Sequence, residues 1–269
     1  MSKNEANEKC TLIDCMMIAM FSAKEYPRLL KLSKRRIVWF VIVVALLLSV
    51  VQYAIPVVGS IAGLGGVEGI FTHEVPQFSL KDGELYVDER IENKDEVSGV
   101  YLLIDTTVDS FTKQDVPANI SQAVLISKSN ILAYNSVYGM GAMVEQEKFE
   151  NLKGVVFSNQ TVIDYSAAIY MSLLFAFVGI WIAVALEYLL TALFYAGFMY
   201  LLLKSLMPDT TFATIYKVFL FAQTIGAIAV AISYCLGNST LFMAAGFFRV
   251  IVTLALSNKV LLGMMKNQL

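Results

Sequence analysis

The segment KRRIVWFVIVVALLLSVVQYAIPVV, residues 34–58, decides the fold class, because three basic residues are followed by a long uncharged and mostly apolar run. An apolar stretch of about 18 residues or more is typical of a transmembrane helix. Residues 165–186 and 218–248 also contain no charged side chain. The sequence therefore predicts an α-helical polytopic membrane protein whose first span is residues 37–58.

The overall composition agrees with this class. Hydrophobic residues make up 57% of the 269 residues, and charged residues make up 16%. A soluble domain usually has about 45–50% apolar and about 25% charged residues. The composition therefore excludes an ordinary soluble enzyme, a disordered protein and a small disulfide-linked scaffold.

The charges are distributed unevenly along the chain. Residues 1–36 carry a net charge of +4, residues 66–165 carry −9, and residues 166–269 carry +3. The basic cluster that ends at Arg36 predicts a cytoplasmic N-terminal arm by the positive-inside rule. The acidic segment then lies outside the cytoplasm, and its charge argues against nucleic-acid binding.

Residues 67–160 are a predicted extracytoplasmic α+β domain inserted after the first span. Apolar and polar residues alternate around KDG at residues 81–83, and short apolar runs flank SKSN at residues 127–130, which predicts two β-hairpins. We expect one small mixed sheet of five or six strands, with a short helix near residues 111–121.

Residues 161–269 are the predicted membrane helical region, with spans at about 180–203, 216–236 and 240–258. Residues 165–203 contain one charge, Glu187, and are long enough for two spans, so five spans are the alternative to four. With four spans, Lys204, Lys217 and Lys259 lie on the cytoplasmic side; with five, they lie outside. The positive-inside rule therefore favours four spans.

The cytoplasmic arm, residues 1–36, is predicted to contain an amphipathic helix. Leu12, Ile13, Met16, Met17 and Met20 recur at helical spacing. Such a helix either lies on the inner leaflet of the membrane or packs on the protein's own loops. The pattern leaves both alternatives open.

Three sequence segments carry a family resemblance: VPQFSLKDGEL at residues 75–85, LIDTT at residues 103–107 and VLISKSNIL at residues 124–132. The three segments follow a basic arm and the first predicted span, and they precede a long apolar helix and the last two predicted spans. This order resembles the domain of unknown function 1189 family, found mainly in Gram-positive bacteria and distantly similar to Yip-type membrane proteins. The proline expected near residues 221–227 is missing. The resemblance implies the same architecture, no established activity and at most a link to maltodextrin uptake.

Two charged residues, Glu187 and Arg249, lie inside the predicted spans. A charge within the membrane is costly and indicates function or pairing. Counted along their helices, the two residues differ in depth by about 10 Å, a gap that helix tilt and the long Arg side chain largely close. We expect an ion pair between two helices. A proton or substrate relay is one alternative, and two unpaired side chains are the other.

Gln223, Thr224 and Ser233 are the candidate interhelical polar contacts. Polar side chains in membrane helices commonly form such hydrogen bonds. The sequence has no detectable internal repeat, which many transporters have, so helix packing is favoured over a transport pathway.

The sequence offers no catalytic or metal-binding motif. His73 is the only histidine, and no P-loop, nucleophile elbow or dinucleotide fingerprint occurs. Cys10 and Cys15 lack zinc-ligand spacing. The acidic residues between 82 and 96 could attract calcium, but a solvated acidic face is favoured because the spacing of a dedicated site is missing. We therefore predict no enzyme activity, no cofactor and no metal.

These features together predict a multi-pass protein of the bacterial cytoplasmic membrane. The predicted function is that of an accessory, scaffold or sensory subunit, which presents the acidic domain outside. Within the lipid bilayer it binds a membrane-protein partner or further copies of itself. A small transporter or channel subunit is the alternative.

Overall fold

The chain forms two compact units in a computed structural model that describes residues 10–95, 99–118, 120–137, 141–204 and 210–266. The helical unit comprises Met1–Gly59 and Ser172–Leu269, and the sheet unit comprises Ser60–Met171. The sheet unit is therefore an insertion between the first apolar helix of the chain and the remaining ones.

Four helical stretches in the described residues are long and apolar enough to cross a membrane. They are Lys34–Gly63, Ser166–Leu203, Phe212–Cys235 and Ser239–Met265. The second stretch is one continuous helix, so it corresponds to the prediction of four spans rather than five. It starts at Ser166 instead of about residue 180, because no proline or turn sequence interrupts the apolar residues in between.

The helices that follow the arm have these bounds: α3 Lys34–Ser49, a π-helical turn Val50–Ala54, α4 Ile55–Gly63, α5 Gly66–Gly69, α6 Asn159–Asp164, α7 Ser166–Leu203, α8 Phe212–Ala222, α9 Thr224–Cys235 and α10 Ser239–Lys266. Helices α8 and α9 together make the third candidate span and are separated at Gln223. Residues 205–209, between α7 and α8, lie outside the described residues.

Helices α8 and α9 are the most enclosed part of the helical unit. Phe219 and Phe221 are fully buried, and the Phe221 ring packs edge-on against Phe40 of α3. The buried residues of α7 recur every four positions and are Val184, Tyr188, Ala192 and Ala196. Small residues on this face let the helix backbones approach closely. The remaining surface of α7 is largely exposed and apolar.

The arm helix α1, Leu12–Phe21, packs against α8 and α9 within the helical unit. A capping box between Thr11 and Asp14 starts it, and it buries Cys15, Ile18 and Ala19. Its other face stays apolar and exposed through Ile13, Met17 and Phe21. The arm helix therefore packs on the protein's own helices, rather than on loops, and keeps a second apolar surface. A short helix, α2 Tyr26–Leu30, follows it.

The sheet unit contains eight strands in its described residues: β1 Phe78–Lys81, β2 Glu84–Val87, β3 Ile91–Asp95, β4 Val100–Ile104, β5 Gln122–Ile126, β6 Asn130–Val137, β7 Gly141–Lys148 and β8 Phe157–Ser158. They form two sheets, ordered β2-β1-β8 and β3-β4-β5-β6-β7. Both predicted hairpins are present, as β1–β2 and β5–β6. The larger sheet is the expected mixed sheet of five strands, but the expectation of a single sheet was wrong, because β1, β2 and β8 form a second one.

The connection from β4 to β5 covers one face of the five-stranded sheet. These two strands are parallel, so the chain must cross over between them. Phe111 and Ile120 of the crossover are buried against Leu103, Leu125 and Leu132. In its described residues the crossover contains only the short 3₁₀ helix Lys113–Asp115, so the helix predicted for residues 111–121 was wrong. Burial of Phe111 and Ile120 against the sheet therefore fixes the conformation of the crossover.

Candidate functional site

The polar residues of the helical unit converge where α8 and α9 meet. We call Glu187, Tyr188, Gln223, Thr224 and Arg249 the mid-span cluster. Gln223 and Thr224 lie at the centre of the candidate span Phe212–Cys235. Three stretches of the chain, α7, α8–α9 and α10, contribute to the cluster. It is therefore a tertiary site within one unit.

The helix break at Gln223 is stabilised by hydroxyl groups. The Tyr188 hydroxyl donates to the Leu220 carbonyl oxygen at 2.7 Å. The Thr224 hydroxyl donates to the Phe221 carbonyl oxygen at 2.7 Å, and its oxygen lies 2.9 Å from the hydroxyl oxygen of Tyr188. Carbonyl groups near a helix break need such donors, since an unsatisfied backbone group in an apolar environment costs several kcal/mol. Tyr188 is fully buried, which fits this structural role.

Gln223 connects the break to α7. Its side-chain amide nitrogen donates to the Tyr188 carbonyl oxygen at 2.7 Å. Gln223 and Thr224 therefore both contact α7, whereas Ser233 donates to the Val230 carbonyl oxygen of its own helix at 2.8 Å. The sequence singled out all three residues without distinguishing these arrangements.

Glu187 and Arg249 lie beside each other. Arg249 Nη1 is 2.8 Å from Glu187 Oε1, which links α10 to α7. The Arg249 side chain is 15% exposed and the Glu187 side chain is 55% exposed. Gly226 of α9 makes room for the arginine: a Cβ atom there would lie 2.6 Å from Arg249 Cα. The glycine thus allows α9 and α10 to approach at this level.

Several buried polar atoms of the helical unit have no hydrogen-bond partner among the described residues. Gln223 Oε1 is an acceptor, Arg249 Nε is a donor, and Thr253 Oγ1 can act as either. Thr253 follows Arg249 by one helical turn on α10 and is fully buried. Beside the ion pair, the site therefore contains one buried acceptor, one buried donor and one hydroxyl group without a hydrogen-bond partner among the described residues.

Tyr188 and Thr253 were missed by the sequence reasoning. A usable signal existed for both, since Tyr188 follows Glu187 directly and Thr253 stands four residues after Arg249. Residues four apart share a helix face, so the spacing alone places Thr253 on the same side of α10 as Arg249.

On the face of the five-stranded sheet opposite its crossover, several of the described apolar side chains are exposed. Leu102, Val124, Ala133 and Glu145 form a continuous row across β4, β5, β6 and β7. Val124 is 37% exposed, and Met143 in the adjacent row is 62% exposed. A depression of about 570 Å³ lies over these residues. We call the surface formed by Val100, Leu102, Val124, Ala133 and Met143 the open sheet face.

The charged side chains of the sheet unit form local pairs. Glu84 is 3.1 Å from Lys128, and Glu92 is 2.7 Å from Arg90. Hydrogen bonds from Thr107, with a contribution from Arg90, lower the pKa of Asp105. Within the described residues no group of three or more His, Cys, Asp or Glu side chains could hold a metal ion.

The comparison with known families gives one match, and it covers most of the chain. The model of the family described as "Protein of unknown function (DUF1189)" matches residues 14–259. The chain belongs to this family. The resemblance seen in the sequence is thereby confirmed. Neither the curated proteins nor the solved structures contain a significant match.

Proposed function

We propose that this chain is a non-enzymatic, multi-pass protein of the bacterial cytoplasmic membrane that acts as an accessory or sensory subunit. In this proposal the sheet unit is presented outside the cytoplasm and binds a protein partner. Four helices with the length and composition of membrane spans support the membrane location.

The positions of the basic residues support the orientation. Lys34 begins α3, and the Lys217 amino group donates to the Leu30 carbonyl oxygen of the arm at 3.0 Å. The α10 helix, which carries Lys259, contacts the arm at Ala23–Glu25. Lys34 and Lys217 therefore lie at the arm, which α10 also contacts, and the positive-inside rule assigns that end of the helical unit to the cytoplasm.

The open sheet face is the observation that carries the partner-binding proposal. Exposed contiguous apolar surfaces with a polar rim are typical of interaction sites. Glu145 and Glu147 of β7 lie on the same side of the sheet as Ala133 and Ile131, their paired residues. An acidic rim favours a partner whose own rim is basic, because complementary charges accelerate and orient association.

A photocross-linking experiment on the full chain in native membranes tests this proposal. The cross-linking amino acid is placed at Val124 on the open sheet face, or at Val156, which is 62% exposed and lies outside that surface. We expect a discrete protein adduct from position 124 that is lost in a Glu145→Lys and Glu147→Lys variant and absent from position 156. Equal adduct patterns at both positions would contradict the proposal.

A transporter or channel subunit is the second candidate function. The break at Gln223 and the unpartnered Gln223 Oε1 and Arg249 Nε favour it, since transporters commonly place broken helices and polar groups at mid-membrane. Solute flux into proteoliposomes containing the purified chain tests this candidate. Flux that a Gln223→Leu substitution abolishes would support transport over partner binding.

A further inference from the structure

Glu187 is the least enclosed charge of the mid-span cluster. One carboxylate oxygen, Oε1, accepts from Arg249, while the side chain as a whole remains 55% exposed. It stands on α7 with 21 residues before it and 16 after it, so about 32 Å of helix precede it and about 24 Å follow it. The next residue, Tyr188, accepts through its carbonyl from Gln223, which lies at the centre of the candidate span Phe212–Cys235. If these helices span the membrane, the Glu187 carboxylate therefore lies near mid-membrane.

Small residues lie beside Glu187 on the N-terminal side of its exposed α7 face, whereas Leu190 and Phe194 follow it on the C-terminal side. Ala176, Gly179 and Ala183 are all exposed, and they lie within about 80° of Glu187 around the helix axis. A Cβ atom on Gly179 would meet nothing within 4 Å. We call Ala176, Gly179, Ala183 and Glu187 the Glu187 face. Another helix backbone could approach it closely.

An exposed carboxylate at this depth requires contact with a polar group, because hydrocarbon solvates it poorly. Charged side chains inside membranes almost always face protein or water, because exposure to hydrocarbon is costly. The Glu187–Arg249 pair is already neutral overall. A cationic third group would give the site a net charge, whereas a hydroxyl or amide donor would satisfy the outward carboxylate oxygen without adding one.

We propose that the Glu187 face binds a transmembrane helix of another membrane protein, and that this helix carries a neutral hydrogen-bond donor, Ser, Thr, Asn or Gln, at mid-membrane. The proposal rests on the membrane location and accessory function proposed above. It adds the intramembrane surface and the chemistry of the partner to that function.

A second copy of this chain fits the Glu187 face less well. Two copies inserted in the same orientation and joined through this face would place two Glu187 carboxylates at the same depth. Each Arg249 is 85% enclosed in its own subunit, so it cannot reach across to the other carboxylate. Neither carboxylate can donate a hydrogen bond to the other, which disfavours this dimer.

Site-specific photocross-linking in native membranes tests the proposal. The cross-linking amino acid is placed at Ala183 on the Glu187 face or, as the matched control, at Ile182. The two positions have the same depth but differ by about 100° around the helix, and Ile182 is itself 54% exposed. We expect a protein adduct from position 183 only. Mass spectrometry should place the attachment within a helical turn of a Ser, Thr, Asn or Gln in a transmembrane segment of the partner.

Two substitutions then test the hydrogen bond. Replacing that partner residue with leucine leaves this chain unchanged and should lower the adduct yield about three- to tenfold, the effect of one interhelical hydrogen bond. The pair Glu187→Leu and Arg249→Leu, which removes both charges together, should lower the yield similarly. Detergent unfolding followed by the fluorescence of Trp181, whose indole nitrogen donates to the Ile42 carbonyl oxygen, reports whether the helical unit of the double variant is still folded.

Three outcomes would overturn the inference. An adduct with twice the mass of this chain would show that a second copy occupies the face. Lipid adducts alone at both positions would show that the face is open to the bilayer. A protein adduct whose yield is unchanged by both substitutions would show that Glu187 is not the recognised group. The adduct from position 124 tests the open sheet face and does not depend on the Glu187 face. Failure of the inference about the Glu187 face is therefore distinguishable from failure of the proposed accessory function.

Discussion

The close approach of α9 and α10 at Gly226 leads to a quantitative prediction. In a Gly226→Ala variant the new Cβ would lie 2.6 Å from Arg249 Cα and 2.9 Å from Arg249 Cβ. Carbon atoms normally approach to about 3.5 Å, so the shortfall is about 0.9 Å. The clash involves the α10 backbone and cannot be relieved by rotating a flexible side chain. The two helices must therefore separate.

The expected cost follows from two opposing effects. Overpacking of a tightly packed contact typically costs about 1–3 kcal/mol. Replacing a helical glycine by alanine contributes about 0.5–1 kcal/mol in the opposite direction. Displacement of Arg249 also weakens its 2.8 Å contact with Glu187, which adds to the loss. We expect Gly226→Ala to lower the free energy of unfolding by about 1–2 kcal/mol.

Gly246→Ala is the matched control. Gly246 also lies in a helix, on α10, and a Cβ there would meet nothing within 4 Å. Its substitution should leave stability unchanged or raise it by up to about 1 kcal/mol. Unfolding by sodium dodecyl sulfate in mixed micelles, followed by tryptophan fluorescence, measures both variants. Trp181 of α7 reports on the helical packing, because its indole nitrogen donates to the Ile42 carbonyl oxygen. A Gly226→Ala variant as stable as Gly246→Ala would refute the reasoning.

Three further predictions concern single side chains. Tyr188→Phe removes the donor to the Leu220 carbonyl oxygen and should cost about 1–3 kcal/mol in the same unfolding assay, whereas Tyr165→Phe at an exposed site should cost nothing measurable. The lowered pKa of Asp105 stabilises the sheet unit above the ordinary carboxyl pKa of about 3.9, and this stabilisation is lost as pH falls through the folded-state value. The hydrogen-exchange protection of β4 and β5, taken relative to the intrinsic exchange rate at each pH, should therefore fall between about pH 5 and pH 3, and Asp105→Asn should flatten this dependence. Burial and the neighbouring Cys10 thiol raise the pKa of Cys15 to about 12, so alkylation at neutral pH should be slow in the folded chain and fast after denaturation.

Each of these predictions has a contradicting result. A Tyr188→Phe variant with wild-type stability would show that the Leu220 carbonyl needs no donor at the break. Identical acid dependence of exchange in wild type and Asp105→Asn would assign the effect to other carboxylates. Rapid alkylation of Cys15 before denaturation would show that its thiol is accessible and ionisable in the folded arm.

Elements that depend on neighbouring residues were predictable from the sequence. The apolar run after Arg36 indicated the first candidate span, and the KDG and SKSN sequences indicated both hairpins. A turn or a helix is specified by residues a few positions apart, so its signal survives without tertiary information. The same holds for Glu187 and Arg249, which stood out because charges are rare inside apolar stretches.

The sequence patterns failed where distant parts of the chain meet. β1 pairs with β8, about 80 positions later along the chain, and with β2, so these strands form a second sheet beside the expected one. The crossover between β4 and β5 looked helical in sequence, but burial of Phe111 and Ile120 against the sheet determines its conformation. Packing against a distant surface can outweigh local propensity.

The sequence alone determined which residues of the helical unit were unusual: an acid, a base and a few polar groups in otherwise apolar helices. Only the tertiary structure decided how they are used. It placed Arg249 2.8 Å from Glu187, 62 positions away, and made Tyr188 a donor at the Gln223 break. It also left half of Glu187 and one face of the sheet uncovered. The physical reason is that hydrogen bonds and burial depend on how helices and strands pack, and residues far apart in sequence supply both sides of each contact.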